Sequence, residues 1–252
     1  KTEKLTDALP LVSVAAIVDP AFVLTVPASV TADTGMDVLT HAVEAYTSTL
    51  ANDYTDGLAL QAIKLVFENL ESSVKNADFE SREKMHNAST MAGMAFANAF
   101  LGMSHSMAHK IGGFFHTVHG RTNAILLPYV IRYNGTRPAK AATWPKYNYY
   151  KADVKFQDIA KMLGLPASTP EEAVDALAKA VYDLGERVGI DMSIKGQGVD
   201  EKEYMATVEE IAYLAYEDQC SPANPRLPMV ADMVEILQDA YYGYKERPGR
   251  IK

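Results

Sequence analysis

TADTGMDVLTHAVEAYTS, residues 31–48, reads as one helix that carries an acid and an imidazole on the same side. Thr31 or Asp33 can cap its start, and the helical pattern runs to about Leu50. Asp37 and His41 are four residues apart, so their side chains leave the same face one turn apart. A carboxylate and an imidazole placed that way can grip one ion. Glu44 lies three residues beyond His41, near the same face. Its plainer reading is a surface or core-satisfied acid; its functional reading is an acceptor for a ligand histidine, which metal-bound imidazoles usually need.

A second stretch, LGMSHSMAHKIGGFFHTVHG at 101–120, holds four of the six histidines: His105, His109, His116 and His119. His105 and His109 are again i,i+4. Gly112-Gly113 is read as the stop of a short helix at 103–111, with His119 beyond the break. Three imidazoles and a carboxylate suit Fe(II), Zn, Co or Mn, and do not suit Ca or Mg. Spacing alone does not choose between His105 and His109, nor between iron and zinc.

Outward from these stretches the chain is mainly helical. Leu58, Ala62, Leu65, Val66 and Leu70 mark one side of a helix over 54–70, and an Ala-, Met- and Gly-rich helix fits 79–100. Further helices fit 119–133, 153–163, 200–217 and 228–241. Thr169-Pro170-Glu171-Glu172 is a helix start, with Thr169 as cap, Pro170 in the first turn and Glu172 closing a capping box, for a helix running to about Val188. Residues 136–152, with prolines, lysines and aromatics but no period, read as a surface loop. CSPANPRLP at 220–228 reads as a rigid link. Before Pro27, LVSVAAIVDPAFVLT at 11–25 reads as two brief strands broken by Asp19-Pro20.

The 252 residues carry a net charge of −8 and one cysteine, Cys220. The acidic balance argues against nucleic acid or an anionic membrane as main partner. A single cysteine excludes an internal disulfide framework, and its expected role is inert packing. No signal-peptide layout opens the chain and no run of 18 apolar residues occurs, so a cytoplasmic chain is expected.

GMDVLTHAVEAY at 35–46, GMSHSMAHKIGGFFHTVHG at 102–120 and NAILLPYVIRYN at 123–134 resemble the iron-containing (group III) alcohol dehydrogenases. AYTSTLANDYTDGLALQAIKL at 45–65 and YLAYEDQCSPANPRLPMVADMVEI at 213–236 are similar to the alcohol dehydrogenase part of the bifunctional aldehyde-alcohol dehydrogenases. The resemblance implies a dehydroquinate-synthase-like fold, in which an N-terminal dinucleotide domain faces a helical metal domain. It implies Asp37, His41, His105 and His119 as ligands of Fe(II), with Zn possible. It places His109 beside the nicotinamide of NAD(H) as a proton relay, and gives His116 and His86 no role. Phe96, Phe100 and Phe115 are candidates for the substrate pocket, with packing the plainer role for each. The implied reaction is hydride exchange between a small alcohol or aldehyde, with ethanol and acetaldehyde foremost, and NAD(H). Polyol or glycerol dehydrogenases and dehydroquinate-synthase-like lyases share the architecture.

No G-x-G-x-x-G follows a strand, so the phosphate-cradling loops of that family are not expected in this chain. Residues 1–30 are expected to be the last strands of the cofactor domain, a short β remnant, and 31–252 the helical metal domain. The rest of the cofactor domain is the expected partner, and a homo-oligomer is expected of the longer protein. A metal-binding helical domain without turnover is the competing reading for the chain by itself.

Overall fold

The computed structural model describes residues 15–138 and 150–244. Nine α-helices follow in chain order: α1 Ala28–Thr47, α2 Asp53–Lys75, α3 Phe79–Ala99, α4 Met103–Phe115, α5 His119–Gly135, α6 Ala152–Met162, α7 Pro170–Arg187, α8 Glu201–Tyr216 and α9 Val230–Tyr242. Among the described residues there is no strand, and no helix is long and apolar enough to cross a membrane.

The expected β remnant is therefore corrected. Residues 11–14 lie outside the described ones, and 15–25 are irregular apart from a 3-10 turn at Pro20–Val23. Asp19 makes that turn: its Oδ1 accepts the Ala21 N–H at 2.9 Å while Pro20 fixes the first residue. A valine-rich run becomes a strand only beside a partner strand, and none is described here. The segment is instead held by Arg82 of α3, which donates to the carbonyls of Val23 and Val26, each at 2.9 Å.

The helices share two buried clusters. Residues of α1, α2, α3, α6 and α7 form one; α4, α8 and α9 form the other. Helix α5 belongs to both. Ala124, Leu127 and Ile131 face the first cluster, and Ile125, Leu126 and Val130 the second, so the helix is apolar nearly all round, as a central helix must be. Close packing of α1 rests on two glycines. A Cβ on Gly35 would lie 2.2 Å from Leu70 Cδ1 of α2, and one on Gly120 would lie 2.3 Å from the Asp33 carbonyl oxygen. Beside Gly120, Arg121 grips Asp33 with two bonds of 2.8 and 3.0 Å, fixing the start of α5 on α1.

Several boundaries differ from the sequence reading. Helix α1 starts at Ala28 after Pro27, with no side-chain cap. Thr31 and Thr34 bond back to the carbonyls of Pro27 and Val30, so both lie inside the helix. Helix α4 runs through Gly112-Gly113 and ends at His116, which takes the left-handed conformation (φ 54°) and returns its N–H to Gly112. Thr169 caps α7, but Glu172 accepts from Ser168 N–H and not from the cap residue. The greater part of the loop read at 136–152 lies outside the described residues.

Candidate metal centre

Three helices converge on one cluster of side chains. Helix α1 brings Asp37 and His41, α4 brings His105 and His109, and the first residue of α5 is His119. Asp37, His41 and His105 each offer a ligand atom, and these atoms lie within 4.8 Å of one another. The His105 Nε2 is 3.6 Å and the His119 Nε2 3.7 Å from Asp37 Oδ1. The imidazoles of His41 and His105 stack with ring centres 4.5 Å apart, and Phe96 covers the other face of His41 at 4.6 Å.

Glu44 is buried, and its carboxylate accepts three bonds. His105 Nδ1 lies 2.6 Å away, Ser104 N–H 2.7 Å and Gly102 N–H 3.0 Å. Glu44 thus caps α4, whose N-cap Gly102 has no side chain to do so, and adds negative charge at the positive end of the helix. Gly102 is required for the approach, because a Cβ there would lie 2.9 Å from Glu44 Oε1. Glu44 is thus a buried acid with its acceptors satisfied, as the plainer reading has it, and one of its donors is the candidate ligand His105. The sequence reading missed two further residues. Asn224, in the Pro-rich link, accepts the Met103 N–H at 3.2 Å. Asn123 donates to Asp37 Oδ1 at 2.9 Å and sits 3.1 Å from His119 Nε2. The bonds of Asn224 to Met103 and of Asn123 to Asp37 span large chain separations and have no sequence signal, whereas Asn123 and His119 are an i,i+4 pair within α5.

The test of fit for a metal is His105. The Nδ1–H donates to Glu44, so in the neutral imidazole the lone pair is on Nε2. That Nε2 is fully buried, has no hydrogen-bond partner, and faces the Asp37 carboxylate. Two acceptors turned toward each other in a buried site repel unless positive charge lies between them. Burial alone would lower the His105 pKa, but the Asp37 and Glu44 carboxylates carry it up to about 9. The His41 imidazole is pushed down to about 4 by burial, with the His105 charge adding to the effect. Burial works against ionised Asp37, yet the neighbouring imidazoles of His105, His41 and His119 hold it below the usual carboxylate range. An anionic Asp37 beside the neutral imidazoles of His41 and His119 supplies deprotonated donors, and an ion would take the place of the proton that the two carboxylates hold on His105. His119 is the most open member, and its Nε2 is engaged by Asn123, so ligation through it requires that amide to yield.

His109 stands beside the cluster. Its ring stacks on His119 at 5.4 Å, and its Nδ1 lies 3.2 Å from Asp218 Oδ2. Cys220 is buried nearby, its thiol pushed up to about 12 by burial and the Asp218 charge. A cavity of about 420 Å³ reaches Asp37 and His41 and is lined by Val23, Val26, Val30, Met85 and His86 among others. None of the three phenylalanines read as pocket candidates lines it. Phe115 packs on Tyr204 and Phe100 is exposed.

The Fe-containing alcohol dehydrogenase family, in its C-terminal part, matches residues 31–241. The chain belongs to this family. The aldehyde-alcohol dehydrogenase of Streptococcus pneumoniae serotype 2 (strain D39) is 81% identical over 237 residues, which are 94% of this chain and 27% of that protein. A 1,3-propanediol oxidoreductase structure superposes with a TM-score of 0.79 at 37% identity, over 88% of this chain and 55% of the other. A sulfoacetaldehyde reductase of Bifidobacterium kashiwanohense, solved with NAD+, gives 0.71 at 27% identity, over 88% and 53%. The chain thus spans about a quarter of its aldehyde-alcohol dehydrogenase relative and about half of these family members.

Proposed function

We propose that this chain is the metal-bearing half of the catalytic cleft of an NAD(H)-linked alcohol dehydrogenase, interconverting a short primary alcohol and its aldehyde. Ethanol and acetaldehyde are the foremost pair. The observation that carries the reading is the buried, unpartnered His105 Nε2 facing Asp37, inside a three-helix cluster of a chain from this family. Asp37, His41, His105 and His119 would hold the ion, with Fe(II) proposed ahead of Zn on the family's chemistry. Glu44 holds His105 in the ligating tautomer. A divalent ion in this site supplies Lewis-acid polarisation of the substrate oxygen.

The protein's own part is positioning and proton handling. His109, next to the cluster and partly open to solvent, is the group that takes the alcohol proton during oxidation and returns it during reduction. The cavity beside Asp37 and His41 gives a small alkyl chain an apolar wall. NAD(H) is proposed on the likeness to the reductase solved with NAD+. Residues 1–30 are proposed as the end of the preceding cofactor domain, which with residues 31–252 would form the cleft. The complete protein is proposed to be a cytoplasmic homo-oligomer. Steady-state turnover of ethanol against glycerol, by a polypeptide that also carries the cofactor domain, tests the reading. A kcat/KM favouring ethanol is expected, and a preference for glycerol would contradict it.

A second reading concerns the chain by itself: a metal-binding helical domain without turnover. It is favoured by the share of its relatives' length that the chain spans.

A further inference from the structure

Helix α4 sends His109 toward the residues that follow α8. There Asp218 is buried, although its carboxylate is ionisable, and it meets three donors, two on α4 and one in the link after α8. The Lys110 ammonium lies 2.7 Å from Oδ2, the His109 Nδ1 lies 3.2 Å from the same oxygen, and the Cys220 N–H donates to Oδ1 at 3.0 Å. The Cys220 bond fixes the plane of the carboxylate on the link that follows α8. Lys110, the residue after His109, balances the charge. A carboxylate held on both sides is a rigid acceptor, and a rigid acceptor selects one tautomer of the imidazole it meets.

We propose that Asp218 is the positioning residue for His109: it holds the proton on Nδ1, fixes the ring in its stack on His119, and leaves Nε2 as the acceptor nitrogen for the substrate's proton. This rests on the reading of His109 as the relay. The arrangement repeats, one turn later on α4, the pairing of Glu44 with His105. In the first pair the carboxylate prepares an imidazole to hold an ion. In the second it prepares one to move a proton. Without Asp218 the His109 ring, partly open to solvent, turns about its side-chain bonds and samples the other tautomer, so the correct nitrogen is presented for only part of the time.

The experiment compares Asp218→Ala, Asp218→Asn, His109→Gln and the double variant Asp218→Ala/His109→Gln in the iron-loaded polypeptide that also carries the cofactor domain. Asp218→Ala is expected to lower kcat on the order of tenfold or more, with metal content and the KM for NADH unchanged. Asp218→Asn keeps an acceptor oxygen and is expected to recover a large part of kcat. Where Asp218→Ala fails to fold, the Asn variant carries the comparison through its kcat against its KM. The double variant is expected to be no slower than His109→Gln alone, because both changes remove the same proton transfer. Additive losses, a fall in metal content, or a normal kcat in Asp218→Ala while His109→Gln is slow would each overturn the positioning role alone. Full kcat in His109→Gln would instead remove the relay reading, and the positioning role with it.

Discussion

At the scale of single residues, the site depends on which buried acceptors are matched. Glu44 meets three donors that nothing else satisfies. Glu44→Ala is expected to weaken metal binding about 10- to 100-fold, through the loss of the group that orients His105. The same change leaves buried N–H groups unpaired and should lower unfolding stability by about 3 kcal/mol. Chelator competition and denaturant titration read the two effects, and unchanged affinity would show that His105 needs no orienting partner. Among the ligands, His105→Ala is expected to remove the metal, whereas His109→Ala should keep it and slow turnover; metal analysis showing the reverse would exchange their roles. Cys220 gives a pH prediction. Its thiol is raised to about 12, so at pH 8 alkylation of the native protein should be roughly a thousandfold slower than that of the unfolded chain. The sign follows from linkage. The folded value lies above the unfolded one, so the stabilising contribution is complete below about pH 9 and is lost as pH rises toward 12. Rapid stoichiometric labelling at pH 8 would contradict a buried, protonated thiol. The i,i+4 pair Asp37–His41 was legible because it is a local fact. The partners Asn123, Asn224 and Asp218 were not, since each meets its target from another helix or link.

At the scale of elements, the sequence reading found all nine helices of the described residues and misplaced some of their ends. Periodicity is local and marks a helix well, whereas an end is decided by what the chain packs on. Gly112-Gly113 looked like a stop, yet the preceding turns are buried in the second core, the helix continues past both glycines, and the chain leaves it only at His116. Thr31 and Asp33 looked like caps. In the fold, Thr31 bonds back along the helix and Asp33 is taken by Arg121 of α5. The valine-rich run at 11–25 has strand composition, but its described part has no partner strand. The contact between α1 and α5 sets the site, because it brings His119 to Asp37. A methyl group at Gly120 would lie 2.3 Å from the Asp33 carbonyl oxygen and 3.0 Å from Asp37 Cβ. Gly120→Ala is therefore expected to lift α5 from α1, costing about 1–3 kcal/mol, and to weaken metal binding. Thermal melting with and without metal checks both, and a variant with wild-type melting and affinity would show that α5 does not set the position of His119.

At the scale of the whole molecule, the four proposed ligands lie within residues 37–119, on helices joined by shared cores. The chain alone is therefore expected to bind a divalent ion and to melt at a higher temperature with it, since the ion ties α1, α4 and α5 together. The same chain is not expected to bind NADH at micromolar concentration, because no phosphate-cradling glycine loop is present in its sequence. Nicotinamide fluorescence during titration reads this directly, and micromolar binding would contradict the proposed division between the two domains. Ile17 and Phe22, among the most exposed apolar side chains, precede the carbonyls of Val23 and Val26 that Arg82 of α3 holds. The central claim is that Asp37, His41, His105 and His119 hold one metal ion. It is tested most directly by crystals of the protein prepared anaerobically with Fe(II), with anomalous diffraction recorded at the iron edge. The account predicts a single peak about 2.0–2.2 Å from an oxygen of Asp37 and from one nitrogen of each of the three imidazoles. A peak bounded by His109 and Asp218, or no peak at Asp37 in protein that retains stoichiometric iron, would contradict it.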